Sequence, residues 1–166
     1  NLMSVDLKDA QSQYRLRDYY IKAAYNCCNA GDFKNDTMDI DALKYVLSRG
    51  CRFLDMEVYS VDNQPVVASS SVSSFAYKET FNHLPLLDVI ELVGSYAFSN
   101  SKCPNPRDPV ILHFRFKSRN LTMYKNMAEM MSRSRTLPSR LIGPKHAREN
   151  HNTDFGETPL KSLMGK

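Results

Sequence analysis

Long apolar runs are missing from this chain of 166 residues. The longest apolar stretch, residues 84–93, is interrupted by Pro85, Asp88 and Glu91, so it is too short and too charged to cross a bilayer. No apolar run follows the charged residues 1–9, so we expect no signal peptide there. The hydrophobic content of 42% is ordinary for a folded core, and the length suits one domain, residues 1–166.

Paired cysteine motifs are also missing. The four cysteines show no CxxC spacing, and the adjacent Cys27 and Cys28 are poorly placed to clip a metal or to bridge each other. Cys51 opens an apolar stretch and suits a core position. We therefore expect free thiols and an intracellular, reducing compartment.

A strong excess of charge of one sign is absent as well, since the formal net charge is +4. Most of the positive excess lies within residues 117–145. Such a face could contact phospholipid headgroups or an acidic partner, although a solvated surface is the commoner explanation. We expect no nucleic-acid partner.

The sequence contains no repeat or low-complexity tract, but strands and helices alternate along it. Strand patterns occupy residues 19–25, 51–59 and 109–117, and residues 65–68 return as extended chain after a turn at Asp62 and Asn63. Helical patterns run from the Asp39 cap to Gly50, over 86–98 and over 123–132. This order predicts an α/β fold with a parallel sheet and helices outside it.

The two faces of the predicted strands differ in polarity. One face is apolar and carries Leu54, Met56 and Val58 from the second strand and Val110, Leu112, Phe114 and Phe116 from the third. The other face carries Asp55, Glu57, His113 and Arg115. A sheet buried on both sides would be apolar throughout, so we interpret the polar face as the interior of a barrel mouth.

Three strand–helix units cannot close an eight-stranded barrel. We therefore expect residues 1–166 to form the N-terminal half of a TIM-type (β/α) barrel. Residues 1–18 would be a lead-in, and residues 136–166 a loop-rich tail that leads to the next strand. The remainder of the barrel, or a partner protein in its place, would complete the domain.

Five segments, taken in order, resemble the X region of phosphatidylinositol-specific phospholipase C. Each segment is weak evidence alone, but together they cover nearly the whole chain. They are DYYIKAAYN at 18–26, RGCRFLDME at 49–57, QPVV at 64–67, DPVIL at 108–112 and LKSLMGK at 160–166. They are similar to that family's YYI strand, RGCRxxELD, EPVV, YPVIL and LKGK patterns.

The resemblance implies calcium-assisted attack of the inositol 2-hydroxyl on the phosphodiester. Family members use two histidines, and an asparagine with three carboxylates holds the calcium. The matching positions here are Tyr25 and Ser69 for the histidines and Asn26, Asp55, Glu57 and Arg115 for the calcium ligands.

Three of these substitutions remove the implied chemistry. A tyrosine with a pKa near ~10 shuttles protons poorly, and Ser69 cannot act as an imidazole base. Arg115 places a permanent cation where calcium would bind. We expect no catalysis and no calcium, and we predict that Arg115 forms an ion pair with Asp55 or Glu57 instead.

The resemblance, taken together with the replaced histidines and calcium ligand, predicts a non-catalytic phospholipase-C-like domain with a structural or protein-interaction role. A large DNA virus particle is one context, suggested by family distribution alone. One alternative is a module for phosphoinositides or anionic membranes. It would use the basic residues Lys117, Arg119, Lys125, Arg133, Arg135 and Arg140. Another is a divergent phosphodiesterase using Tyr25, Asp55 and Glu57. The compartment could thus also be membrane-peripheral or the virion.

Other polar candidates have ordinary explanations. His113 could be a displaced catalytic histidine, but a hydrogen-bonded interior histidine is commoner. His146 and His151, with Glu149 between them, could hold a metal or lie in a solvated loop. The serines of residues 69–74 lack the glycines of a phosphate loop. A stripe of methionines on the third helix predicts core packing: Met123, Met127, Met130 and Met131.

Overall fold

A computed structural model describes residues 3–72, 77–143 and 154–166. The strands are β1 (Ala23–Ala24), β2 (Phe53–Val61), β3 (Gln64–Ala68), β4 (Leu84–Pro85) and β5 (Ile111–Phe116). The helices are α1 (Ile40–Ser48), α2 (Leu86–Tyr96) and α3 (Leu121–Arg133). Short 3₁₀ helices lie at Ala10–Gln13, Leu16–Asp18, Phe155–Glu157 and Leu160–Ser162. Within these ranges no helix is long and apolar enough to cross a membrane.

Strand β2 is the centre of the sheet. It pairs in parallel with β1 over its first two residues and with β5 along Phe53 to Val58. It also forms an antiparallel hairpin with β3, which in turn pairs with β4. The hairpin turns at Asp62 and Asn63, whose φ angles of 49° and 64° suit this type of tight turn. The result is a curled half-barrel sheet with helices, as the alternation predicts.

The first strand is shorter than predicted. Residues 19–25 were expected to be extended throughout, but only Ala23 and Ala24 pair with β2. Asn26 follows with φ 46°, which turns the chain out of the strand direction. On the other side, Tyr19 and Ile21 pack against a separate small apolar cluster instead of extending the sheet.

Two other element boundaries also differ from the prediction. The third predicted strand begins at Ile111 and not at Pro109, because proline has no amide hydrogen for a ladder. Helix α3 begins at Leu121, since the Asn120 side chain accepts hydrogen bonds from the amides of Thr122 and Met123. This N-cap is visible in the sequence and fixes the helix start two residues earlier than the apolar pattern alone.

The main core lies between the apolar face of the sheet and the helices. Leu54, Met56 and Val58 of β2 are buried there, together with Met123 and Met127 of α3. Met130 and Met131 pack against the same core, so the methionine stripe is packing, as predicted.

The lead-in and the tail pack on each other in a second cluster. Leu16, Leu160 and Leu163 are buried there. The amide of Leu16 donates to the carbonyl of Thr158, and the amide of Leu160 donates to that of Tyr14, at 2.9 Å each. These two segments therefore pack on each other, although the sequence predicted only a lead-in and a loop-rich tail.

Arg52, the second arginine of the RGCR segment, holds two parts of the chain together. Its side chain is buried, and Nη1 donates to the carbonyl of Ala97 at the end of α2 at 2.8 Å, while Nη2 contacts Asn105. Burial lowers the pKa of Arg52 and raises the pKa of Asp108 nearby. The arginine thus ties the start of β2 to the loop after α2, which is a structural role.

Gly94 of α2 lies directly against Thr136, and a methyl group at this position would overlap its Oγ1 and Cβ. We expect Gly94→Ala to lower the free energy of unfolding by about 1–3 kcal/mol through overpacking, despite the better helix propensity of alanine. Chemical denaturation measures the loss. Gly143→Ala is the matched control, because nothing lies within 4 Å of the added methyl. Equal stability of both variants would contradict the prediction.

Candidate functional site

The candidate site lies at the carboxyl ends of the parallel strands. Asp55 and Glu57 of β2 stand opposite His113 and Arg115 of β5 in the parallel register. Asn26 lies two residues after the end of β1 and is buried. Strand parity predicted that the four strand residues share the inner face, and the structure brings them together with Asn26.

Arg115 is the centre of this site. Its Nη2 donates to Asn26 Oδ1 at 2.6 Å and to Asp55 Oδ1 at 2.7 Å, and its Nη1 donates to Glu57 Oε1 at 2.5 Å. Its Nε lies 3.1 and 3.0 Å from the two Asp55 oxygens. Asp55 and Glu57 are only 5% and 2% exposed. The predicted ion pair is therefore present, and it engages both carboxylates.

His113 binds the second oxygen of Asp55, with Nδ1 2.7 Å from Oδ2. Burial tends to raise the pKa of Asp55, but hydrogen bonds from Arg115, His113 and the Asn26 amide outweigh it and lower that pKa. The expected hydrogen-bonded histidine is found. It is not fully interior, however, because its side chain is 51% exposed on β5, a strand whose other edge is open among the described residues.

Two more residues belong to the cluster: Tyr59, which strand parity places on the same face as Asp55 and Glu57, and Lys117, which the sequence did not predict there. Lys117 Nζ lies 3.5 Å from Glu57 Oε1, and its side chain is 7% exposed. The Tyr59 hydroxyl donates to Glu57 Oε2 at 2.7 Å, and burial together with Glu57 raises the pKa of Tyr59. Lys117 continues the alternation of His113 and Arg115, so parity could have found it as well. With Lys117 included, two cations balance the two carboxylates.

The two positions matched to the family histidines differ in their exposure. Tyr25 is 61% exposed, and the Arg115 guanidinium stacks 4.4 Å from its ring centre. Ser69 is buried, accepts a hydrogen bond from Asn29 Nδ2 at 2.7 Å and donates to the carbonyl of Phe33 at 3.2 Å. Its hydroxyl is thus occupied by the structure of neighbouring loops.

The serines after β3 are held by Glu79. Its Oε2 accepts from the Ser70 hydroxyl at 3.1 Å and from the Ser71 amide at 2.7 Å. The Ser71 hydroxyl also donates to Oε2, at 2.5 Å, and the hydrogen bonds from Ser71 and Ser70 together lower the pKa of Glu79 to about 2. Ser70 and Ser71 therefore bind a carboxylate of their own chain. Ser73 and Ser74 lie outside the described residues.

A cleft of about 450 Å³ opens beside Arg115. Its walls include the aromatic rings of Tyr25 and Phe33, which meet edge to face with centroids 5.5 Å apart. Glu57, Arg115 and Lys117 line its floor. The cleft therefore has aromatic side chains at its rim and charged side chains at its floor that pair with one another.

The oxygen donors matched to calcium ligands do not fit a free metal site as they stand. Asn26, Asp55 and Glu57 each accept a hydrogen bond from Arg115, so a cation would have to displace the guanidinium. In residues 3–72, 77–143 and 154–166 no group of three His, Cys, Asp or Glu side chains is arranged to hold a metal. His146, Glu149 and His151 lie outside the described residues.

Comparison with known proteins agrees with the sequence resemblance. One curated relative is 1-phosphatidylinositol 4,5-bisphosphate phosphodiesterase 1 of Saccharomyces cerevisiae, 27% identical over 100 residues; the match covers 60% of this chain and 11% of that protein. The structure is also similar to those of S. officinalis PLC21 (TM-score 0.63, 20% identity) and L. pealei PLC21 (TM-score 0.57, 21% identity).

These structural matches cover 79% and 72% of this chain but only 15% and 14% of the two solved chains, so this sequence spans a small part of each. At this identity they show a shared fold. The family model for the phosphatidylinositol-specific phospholipase C X domain matches residues 12–162. The chain belongs to the phosphatidylinositol-specific phospholipase C X-domain family.

Proposed function

We propose that this X domain is non-catalytic and that Arg115 takes the place of the calcium ion. One observation carries the proposal: the guanidinium contacts the side chains of Asn26, Asp55 and Glu57 simultaneously. Neither Tyr25 nor Ser69 supplies an imidazole at the matched histidine positions. The site thus keeps its shape through an internal cation and lacks the groups that the family uses for phosphoryl transfer.

A structural or interaction role follows from what the domain keeps. The outer edge of β5 pairs with no strand among the described residues, and an apolar groove of about 310 Å³ runs beside it. The amide of Val110 donates to the carbonyl of Lys166 at 2.8 Å, which brings the chain onto this edge. We propose that further strands pair here and complete the barrel. The curated relative acts on a lipid by its name, but the substrate class does not carry over without the catalytic groups.

The competing function is a divergent phosphodiesterase, and the His113–Asp55 pair is the observation that favours it. A half-exposed imidazole oriented by a buried carboxylate is a suitable general base. This candidate needs no calcium, so it predicts hydrolysis that persists in chelator, whereas an ordinary family member would need calcium.

We expect the full-length protein to release no water-soluble inositol phosphate from phosphatidylinositol vesicles, with calcium or with chelator. Release that needs calcium would contradict the assignment of Arg115. Release that persists in chelator and disappears in His113→Asn would support the divergent enzyme. Calorimetry provides a second test, since micromolar calcium binding left unchanged by Arg115→Ala would also contradict the proposal.

A further inference from the structure

A second pocket lies at the amino ends of the parallel strands. Arg52 directly precedes β2, and Ile111 is the first residue of β5. Together with Ile21 and Lys22, which precede β1, they line a cavity of about 200 Å³. The Arg115 site lies at the carboxyl ends of the same strands, about 16 Å away along β2. We call this cavity the amino-end pocket.

The walls of the amino-end pocket are mainly apolar. The strand ends contribute Ile21 and Ile111, the lead-in contributes Val5 and Leu16, and the tail contributes Leu160. These five side chains belong to one apolar cluster, in which Leu16 and Leu160 are buried. The pocket therefore forms where the lead-in and the tail pack against the sheet, and its walls suit a hydrocarbon group.

The polar side of the pocket contains a buried cation with an unused donor. Arg52 is 4% exposed, and its two Nη atoms donate to the carbonyl of Ala97 and to Asn105. In residues 3–72, 77–143 and 154–166 its Nε has no hydrogen-bond partner, and no carboxylate forms an ion pair with its guanidinium. Buried charges and donors are normally paired, because their lost hydration has to be replaced. Arg52 therefore indicates a bound group that supplies an acceptor.

Water alone is a poor partner for this donor. A buried water usually makes about three hydrogen bonds to polar groups that lack other partners. Asp108 accepts hydrogen bonds from the amide of Val5 and from Asn105 Nδ2, which also donates to the carbonyl of Gly50. Asn105 Oδ1 accepts from Arg52 itself. Because the neighbouring polar side chains are already paired, a water would gain little beyond the bond from Arg52 Nε.

The charge of the pocket favours a ligand with one negative charge. Its charged lining residues are the cations Lys22 and Arg52 and the anion Asp108, so the net charge of the lining is +1. A ligand with one negative charge brings this to zero. A phosphate with two negative charges would exceed it and would be repelled by the Asp108 carboxylate.

We propose that the amino-end pocket binds a small organic monocarboxylate. The carboxylate of this acid accepts a hydrogen bond from Arg52 Nε, and its hydrocarbon part lies against the apolar walls. Because those walls include residues of the lead-in and the tail, the bound acid holds both segments on the sheet. The proposal does not depend on the chemistry of the Arg115 site.

Isothermal titration calorimetry of the full-length protein tests the proposal, with hexanoate as the probe. Acetate keeps the carboxylate but lacks the hydrocarbon chain, and each methylene group buried from water is worth about fourfold in affinity. We therefore expect hexanoate to bind at least about tenfold more tightly than acetate. Hexan-1-ol keeps the chain but lacks the charge, and it should also bind at least about tenfold more weakly than hexanoate.

Two results of this titration would overturn the proposal. Hexanoate that binds no more tightly than hexan-1-ol would show that Arg52 does not select an anion and that water satisfies its Nε. Inorganic phosphate that binds more tightly than hexanoate would show that the pocket does not select a monoanion with an apolar body.

Charge reversal beside Arg52 locates the site. Lys22→Glu changes the net charge of the pocket lining from +1 to −1, so it should weaken hexanoate binding roughly tenfold or more and leave hexan-1-ol binding unchanged. Lys22 is exposed, so this variant should keep the fold. The matched control is Lys125→Glu, which changes the net charge equally at an exposed position of α3. Equal losses of hexanoate affinity in both variants would overturn the proposal.

Two substitutions act on the pocket itself. Arg52→Met removes the unused donor and should abolish hexanoate binding, but it also removes the structural contacts with Ala97 and Asn105. Val5→Trp is therefore the second variant, because it keeps Arg52 and fills the cavity from one wall. We expect it to fold, as circular dichroism can show, and to bind hexanoate at least about tenfold more weakly. A folded Val5→Trp protein with the affinity of the parent would contradict the proposal.

The amino-end pocket and the Arg115 site can be tested separately. His113→Asn should leave hexanoate binding unchanged, since His113 does not line the amino-end pocket. Release of inositol phosphate is measured without hexanoate, so this proposal and the proposed function can fail independently.

Discussion

Replacing Arg115 by methionine is expected to lower the free energy of unfolding by about 3–5 kcal/mol at neutral pH. Methionine keeps much of the side-chain volume but removes every hydrogen bond that the guanidinium donates. Asp55 and Glu57 would then lie buried with one cation, Lys117, 3.5 Å from Glu57. Leaving buried carboxylates without a partner is costly because their hydration has been lost. Urea denaturation followed by circular dichroism measures the change.

The stability lost in Arg115→Met should become smaller as the pH falls. In the native protein the pKa of Asp55 is lowered, so this carboxylate contributes stability above its unfolded pKa of about 4 and loses it as the pH falls. Without Arg115, burial would prevail and raise the pKa of Asp55. The difference in stability between the two proteins should therefore be largest near neutral pH and shrink below about pH 4.

Arg107→Met is the matched control, because Arg107 is exposed and the contacts found for it run through its backbone. We expect this variant to lose less than about 0.5 kcal/mol. An Arg115→Met protein as stable as the control at pH 7 would show that the cluster is not held by the arginine. The proposal that the guanidinium replaces a metal would then lose its physical basis.

Replacing Arg115 by glutamate is expected to produce a protein that calcium stabilises. The variant would present Asn26, Asp55, Glu57 and a third carboxylate at one site, which is a donor set that calcium prefers. Without calcium, three carboxylates would repel one another, and the variant should be less stable than Arg115→Met. Calcium at about 100 times its dissociation constant would restore about 2.7 kcal/mol.

Thermal unfolding with calcium and with chelator measures this gain. Arg115→Gln is the control, since it removes the cation without adding a carboxylate and should show no response to calcium. The parent protein should also show none. A glutamate variant that calcium fails to stabilise would mean that Lys117, or the local backbone, has moved the site away from a metal-binding geometry.

Much of the fold could be predicted because its signals are local. The alternation of strands and helices, the turn at Asp62 and the cap at Asp39 each depend on a few neighbouring residues. The segments RGCR and PVIL identified the family, and strand parity placed Asp55, Glu57 and Arg115 on one face. Parity works because side chains alternate along any strand, whatever its partners are.

The limits of the prediction lie at contacts between distant segments. The sequence predicted an ion pair of Arg115 with Asp55 or Glu57, but the structure pairs it with both carboxylates. The parallel register sets Arg115 opposite Glu57, and Asp55 lies two residues earlier on the same face of β2. Lys117 and Tyr59 joined the cluster for the same reason. Ser69 was matched to a site position, yet its hydroxyl serves Phe33 and Asn29.

The sequence by itself determined the α/β order, the family, the polar inner face and the presence of a permanent cation at Arg115. Only the tertiary structure decided how short β1 is, that the lead-in and tail pack together around Leu16 and Leu160, and which oxygens Arg115 binds. The physical reason is range. Periodicity and capping follow from backbone geometry within one element, whereas register and side-chain pairing follow from where separate elements come to rest against each other.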